Sequence, residues 1–173
     1  MALYKKREEQ KIMISIQKIW NEIVQKLIQK NLTISAMESC TGGGIANEIT
    51  NISGASSVLR ESYVTYCNEA KIKQGVSADI IEKFTVYSKE TAIEMAKAAK
   101  HQANSDIGIG VTGQLGRIDP ANPINTLNHV WFAIIYNDNL VVKEIVVDDC
   151  ERYLQKDIVI KNVIPKHLES ITS

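Results

Sequence analysis

The sequence predicts an α/β protein, a three-layer α/β/α sandwich around a mixed, mainly parallel sheet that ends in a C-terminal hairpin. Three observations carry that expectation. Short runs rich in β-formers alternate with segments of helical period. A glycine run, Gly42-Gly43-Gly44, sits where the first strand-like run gives way to a helix, and Asn137-Asp138-Asn139 separates two adjacent β-rich runs. Alternation of strand and helix calls for crossovers between parallel strands, and the hairpin adds antiparallel pairing.

Taken in order, Ile12, Ile16, Ile19, Trp20, Ile23, Val24, Leu27 and Ile28 recur at steps of three and four. Residues 12–30 are therefore expected to be an amphipathic helix, its apolar face either in the core or paired with another subunit. Thr33 to Met37 reads as a short strand, followed by the glycine loop and a helix from Ile45 to Thr50. Val58 to Tyr66, with Tyr63, Val64 and Thr65, reads as a second strand. Asn68 is the expected N-cap of the next helix and Gly75 the residue just past its end. Ser88 should cap a longer helix that runs to about Ala103 and stops at Asn104.

From Asp106 to Val111, Gly108 and Gly110 alternate with Ile107, Ile109 and Val111, which predicts a strand with a neighbour packed against its backbone. Gly113 to Asn128, with Pro120 and Pro123, is a long loop of the kind that carries function. Val130 to Tyr136 and Leu140 to Val147 form the hairpin, and a last helix runs from Glu151 to about Ile164, where Pro165 should end or kink it.

At 173 residues the chain can bury a real core, and residues 1–173 are expected to form a single domain with 1–11 as a flexible N-terminal extension. Twenty Lys+Arg balance 20 Asp+Glu, so the electrostatic footprint of a nucleic-acid or anionic-membrane binder is missing. Cys40, Cys67 and Cys150 are odd in number and lack C-x-x-C spacing, so neither a disulfide framework nor a bound metal is expected. With no secretory pattern and no run of about 18 apolar residues, the expected location is the cytoplasm.

Chemistry concentrates in Glu38-Ser39-Cys40-Thr41-Gly42-Gly43-Gly44. The N–H groups of a helix start there are expected to hold a phosphate, a carboxylate or a developing oxyanion. The loop matches neither G-x-x-x-x-G-K-[ST] nor G-x-G-x-x-G, so triphosphate and dinucleotide readings fail. Ser39 and Cys40 are both possible nucleophiles, each needing a base from elsewhere in the chain. His101, His129 and His167 sit in no informative motif, which leaves a Ser/His/Asp triad without support. Lys71, in the first turn of a helix, is disfavoured as a cation by the helix dipole and by any burial, so a lowered pKa would let it take a proton from Ser39. An ordinary exposed helix lysine remains the alternative on local sequence.

These segments in order, Glu38-Ser-Cys-Thr-Gly-Gly43, Ser53-Gly-Ala-Ser56, Tyr66-Cys-Asn-Glu-Ala-Lys71, Val86-Tyr-Ser-Lys-Glu90 and Val111-Thr-Gly113, resemble the CinA C-terminal domain family from about residue 15 to about residue 165. Larger members carry an additional N-terminal domain with metal-dependent pyrophosphatase activity, for which 173 residues leave no expected room. The stand-alone PncC-type members imply nicotinamide-nucleotide amidohydrolase activity: nicotinamide mononucleotide and water give nicotinate mononucleotide and ammonia, without metal or cofactor. On matching positions the resemblance implies Ser39 as nucleophile, Lys71 as general base and Tyr66 as an assistant in proton transfer. Thr41, Gly42, Gly43, Ser56, Thr112 and Arg152 would bind substrate, with Arg152 matching only the last residue of the family's Gly-Asp-Arg. A homo-oligomer is also implied.

One stretch departs from the pattern. Where the family continues I-A-G-P-G-G after Thr-Gly, and later K-P-V-G-T-V, this chain has Gln114-Leu115-Gly116-Arg117 and Pro123-Ile-Asn-Thr-Leu-Asn-His-Val130. Larger residues replace glycines beside the expected ligand, which reshapes the substrate surface more than the Ser39/Lys71 chemistry. The alternatives are a homologue that binds a nucleotide without turning it over, and a partner-binding domain.

Overall fold

The computed structural model describes residues 17–122 and 126–172. The first helix, α1, covers residues 17–29; the expected start at 12 and the extension 1–11 lie outside the described residues. Its face is core: Trp20, Ile23, Val24 and Leu27 are each at most 1% exposed. The subunit-pairing alternative for that part of the face is therefore set aside.

Five strands follow in the spatial order β2-β1-β3-β4-β5. They are β1 (Ile34–Glu38), β2 (Leu59–Val64), β3 (Ile107–Gly113), β4 (His129–Tyr136) and β5 (Asn139–Val146). β1 pairs in parallel with both β2 and β3, whereas β4 runs against β3 and β5, so four of the five strands share one direction. The hairpin turn is tight, with Tyr136 opposite Asn139 and Asn137 at φ 51, the conformation an Asn tolerates best. Sheet and sandwich are as the sequence predicts.

Alternation along the strands builds two cores. Ile34, Ala36, Ile107, Ile109, Val111, Phe132 and Ile134 face α1, α2 (Gly44–Thr50) and the C-terminal helical region. The other face carries Met37 and Ala133 against the long helix α5 (Lys89–Ala103), where Met95, Ala92 and Ala96 are fully buried. Gly108 and Gly110 lie under α5 so closely that a Cβ on either would collide with the carbonyl oxygens of Ala96 and Ala92. This is the close approach the glycine alternation predicts. Ser88 caps α5 by accepting from Thr91 N at 3.1 Å, and Asn104 ends it at φ 47.

Four expectations change. Cys67 occupies the N-cap of α3 (Asn68–Lys73), leaving Asn68 as its first residue, while Gly75 lies one position past the C-cap at φ 96. An additional helix, α4 (Ala78–Phe84), precedes α5; at seven residues it is too short for Ile80, Ile81 and Phe84 to establish a helical period in the sequence. β3 extends through Thr112 and Gly113. Pro165 does not stop the last helix: α6 (Arg152–Asp157) passes through a π-helical stretch, Ile158–Val163, into α7 (Ile164–Thr172). The wider turns before Pro165 take up its missing donor and the bulk of its ring.

Candidate active site

β1, β2 and β3 end side by side, with Glu38 in register with both Val64 and Val111. The chain leaves β1 for β2 by way of α2 on one face and reaches β3 by way of α5 on the other. The divergence of these crossovers opens a crevice outside the carboxyl end of β1, the usual ligand position in open α/β sheets. A cleft of about 1010 Å³ lies there, and Ser39, Tyr66, Lys71, Tyr87, Gln114 and Arg152 are on its wall.

Ser39 follows β1 directly, its N–H bonded to Val111 O at 3.0 Å, and is only 7% exposed. Lys71, 2% exposed, reaches it from α3: Nζ donates to Ser39 Oγ at 3.2 Å and to the Thr65 carbonyl at 2.8 Å. Burial lowers the Lys71 pKa from 10.5 to about 8, opposed by the nearby Cys40, Cys67 and Asp119. The direction is the one expected from the sequence, but the cause is desolvation: α3 has six residues and Lys71 lies in its last turn, so no N-terminal dipole acts against the ammonium. An amine with this pKa is partly neutral near pH 8 and can take the Ser39 proton.

Cys40, the other candidate nucleophile, is 3% exposed, and burial pushes its thiol up to about 12, although Arg152 and Lys71 act to lower it. It remains a protonated thiol at neutral pH and is not an activated nucleophile.

The glycine loop differs from expectation in what occupies its amides. Glu38, fully buried, accepts from the N–H groups of Gly43, Ile45 and Ala46, each at 3.1 Å, and Ser62 Oγ donates to the same carboxylate at 3.4 Å. Gly42 N and Gly44 N bond to the carbonyls of Ser39 and Thr41. The start of α2 is thus satisfied by the protein's own carboxylate, and only the amides of Cys40 and Thr41 stand outside this network. The E-S-C motif named Glu38, but a loop of glycines does not reveal that a preceding glutamate fills it.

The other predicted residues separate into two groups. Arg152, at the start of α6, donates to the Leu115 carbonyl and, at 2.8 Å, to Tyr66 Oη. Tyr66 is 64% exposed on the cleft wall, bonded to Arg152 rather than to Ser39 or Lys71. Thr41, Gly42 and Gly43 are not on that wall. Thr41 is buried with its hydroxyl unpartnered, and Gly42 and Gly43, at φ 61 and 90, make the turn. Thr112 is buried and donates to Val86 O at 2.6 Å, which ties β3 to the segment before α5. Ser56 is exposed in the 3-10 turn Ala55–Ser57 that precedes β2. Because β2 runs parallel to β1, Ser56 lies at the opposite end of the sheet from Ser39, about 15 Å of strand away. Within one chain it is not part of the cleft.

The structure adds Tyr87, Asp119, Asn122 and Gln114. Tyr87 Oη donates to Asp119 Oδ2 at 2.7 Å, Asn122 Nδ2 to the same oxygen at 2.9 Å, and Ala121 N to Oδ1 at 2.9 Å. Asn122, Tyr87 and Ala121 together hold the Asp119 carboxyl below its ordinary range, while burial and Asp119 raise Tyr87. Two residues before Tyr87 stands Thr85, whose φ of 73 is rare for a β-branched residue. Thr85 is held there by the Ser88 and Thr91 hydroxyls on its carbonyl. None of the three histidines lines the cleft; His129 pairs with Glu144 at 2.7 Å and His167 meets Phe132 edge-on. Among the described residues no cluster of three or more His, Cys, Asp or Glu is placed to hold a metal ion.

Residues 16–165 match the CinA C-terminal domain. The chain is 41% identical over 126 residues to a CinA-like protein of Kosmotoga olearia, an alignment that takes in 72% of this chain and 30% of that protein. The chain thus spans about a third of the length of the curated relatives it matches. Among solved structures, the competence/damage inducible protein CihA from Agrobacterium tumefaciens is 27% identical with a TM-score of 0.82, covering 91% of this chain and 96% of that one. A CinA superfamily protein from Klebsiella pneumoniae has the same fold, with a TM-score of 0.82 at 19% identity over 91% of this chain and 97% of that one.

Proposed function

The chain belongs to the CinA C-terminal domain family, and from that premise and the geometry of the cleft we propose that it is an amidohydrolase acting on nicotinamide mononucleotide. The observation that carries the reading is the buried Ser39–Lys71 pair, 3.2 Å apart, at the floor of a cleft large enough for a mononucleotide. A serine next to a lysine with its pKa near 8 is an activated nucleophile.

In this reading Ser39 Oγ attacks the carboxamide carbon while its proton passes to Lys71 Nζ. The amide of Cys40, which lines the cleft and stands outside the Glu38 network, is the loop N–H that would meet the oxyanion. The C–N bond breaks as Lys71 returns the proton to the departing nitrogen, and ammonia leaves an acyl-Ser39. Water then attacks the ester carbon and gives its proton to Lys71, which passes it to Ser39 Oγ as the ester C–O bond breaks and the nicotinate group is freed. Lys71, in contact with Ser39, is favoured over the exposed Tyr66 for both transfers. Arg152, on the cleft wall with its guanidinium held by the Leu115 carbonyl and Tyr66 Oη, is a fixed cation suited to clamp the phosphate. Assembly into a homo-oligomer is part of the proposal, since Ser56 could serve the site only across a subunit boundary.

The test is ammonia release from nicotinamide mononucleotide by the purified protein without added metal. Ser39→Ala should lose about a thousandfold or more of the rate and still bind the nucleotide. Nucleotide binding with no ammonia from the unmodified protein would replace this reading with that of a binding homologue whose 114–119 loop has redirected the site.

A further inference from the structure

Gln114 is a buried residue of the cleft wall whose side-chain amide neither the fold nor the Ser39–Lys71 pair uses. It is 3% exposed and on the cleft wall, yet neither its Oε1 nor its Nε2 has a hydrogen-bond partner. Its main chain is fixed on both sides: Gln114 N donates to His129 O at 3.0 Å and Gln114 O accepts from Asn128 N at 2.7 Å. The neighbouring polar groups are occupied with one another. Asp119 takes the Tyr87 hydroxyl, the Asn122 amide and the Ala121 N–H, and the proximity of Gln114 to Tyr87 falls short of hydrogen-bond geometry. A buried carboxamide left without partners keeps its desolvation penalty uncompensated, and such a group in a cleft calls for a ligand that answers it.

We propose that Gln114 is a specificity-determining residue that pairs edge to edge with the substrate carboxamide, a step that rests on the amidohydrolase reading above. Oε1 accepts from the substrate N–H and Nε2 donates to the substrate carbonyl oxygen. Pairing in the plane of the carboxamide leaves its faces open, and a face is where Ser39 Oγ must attack. The same edge discriminates against the product. A carboxylate offers acceptors only, so one of its oxygens would oppose Gln114 Oε1, and the acid is released where the amide is retained.

The experiment measures calorimetric affinities of nicotinamide mononucleotide and nicotinate mononucleotide for Ser39→Ala protein, with and without Gln114→Leu or Gln114→Glu. Ser39→Ala should prefer the amide by about tenfold or more, and Gln114→Leu should bring that ratio close to one. Gln114→Glu keeps the shape and one acceptor but loses the donor, and should weaken the amide about tenfold. Leucine removes only unpaired polar atoms, so the fold should withstand it, as thermal unfolding will show. An unchanged ratio in folded Gln114→Leu, or an unchanged amide affinity in folded Gln114→Glu, with ammonia release intact in the Ser39-containing enzyme, overturns this inference alone. No ammonia release and no nucleotide binding by the unmodified protein overturns it together with the amidohydrolase reading.

Discussion

Replacing Lys71 with methionine tests the electrostatics of the site without any substrate. The folded protein holds the Lys71 ammonium at 2% exposure, and its pKa falls from 10.5 to about 8. At 1.36 kcal/mol per pH unit, that difference is a penalty of about 3 kcal/mol on the folded state, present in full below pH 8 where both states are protonated. Between pH 8 and 10.5 the unfolded chain keeps a proton that the folded chain has released. Wild-type stability relative to a non-titrating residue therefore rises with pH across that window. Methionine removes the titration but leaves the buried Thr65 carbonyl without its 2.8 Å donor, a cost of about 1–3 kcal/mol that does not depend on pH. The net change at pH 7 is consequently small, and the pH dependence is the observable. Urea unfolding of both proteins from pH 6.5 to 9.5 should give a stability difference that is flat below about pH 7.5. It should then move in favour of wild type by about 2 kcal/mol at the upper end. Cys40, Tyr63 and Tyr87 titrate in both proteins and largely cancel. Parallel stability curves across the whole range would refute the claim that burial depresses the Lys71 pKa.

Ammonia release should show kcat/KM increasing with pH through about 8 as Lys71 loses its proton, and a flat profile between pH 6 and 9 would remove Lys71 as the base. Glu38→Gln puts an NH2 group against amides that now donate to a carboxylate, and should lower the unfolding free energy in urea by about 2 kcal/mol. A thiol reagent at pH 8 should modify the exposed Cys67 at once and Cys40 only after denaturation; rapid loss of the Cys40 thiol in the folded protein would reopen its claim as nucleophile.

The parts of the fold that read clearly in the sequence are those in which the local pattern and the buried face agree. Trp20, Ile23, Val24 and Leu27 mark α1 because the same stripe fills the core, and Gly108 and Gly110 mark β3 because α5 lies against them. Helix α4 is too short to set a period, and Pro165 marks a change of helix type, the π-helical stretch before it, and not the end the sequence also allowed. In the site, Ser39 and Lys71 were legible through their motifs, although the depth that sets the Lys71 pKa comes from tertiary packing. Ser56 and Thr112 show the opposite limit. A match by position says nothing of which end of a parallel strand a residue occupies, or whether its hydroxyl faces the cleft or, as Thr112 does, the Val86 carbonyl.

The two halves of the cleft are held by different means, and this bears on how such a site can change. Ser39 and Lys71 sit on the ends of β1 and α3, fixed by the sheet ladder, by Glu38 across the loop, and by the Thr65 carbonyl. Moving either would disturb buried groups that have no alternative partner. The opposite wall is anchored at Gln114 and Leu115 by the main-chain bonds to His129 and Asn128 and by the core, and beyond them rests on local bonds: the Asp119 turn, the Tyr87 hydroxyl and the Arg152 contact to Leu115. Substitutions there alter what the cleft presents to a ligand and leave the nucleophile and base where they are. The first stretch that departs from the resemblance, Gln114-Leu115-Gly116-Arg117, falls on this second wall. Altered recognition over retained chemistry is the outcome this arrangement permits at least structural cost.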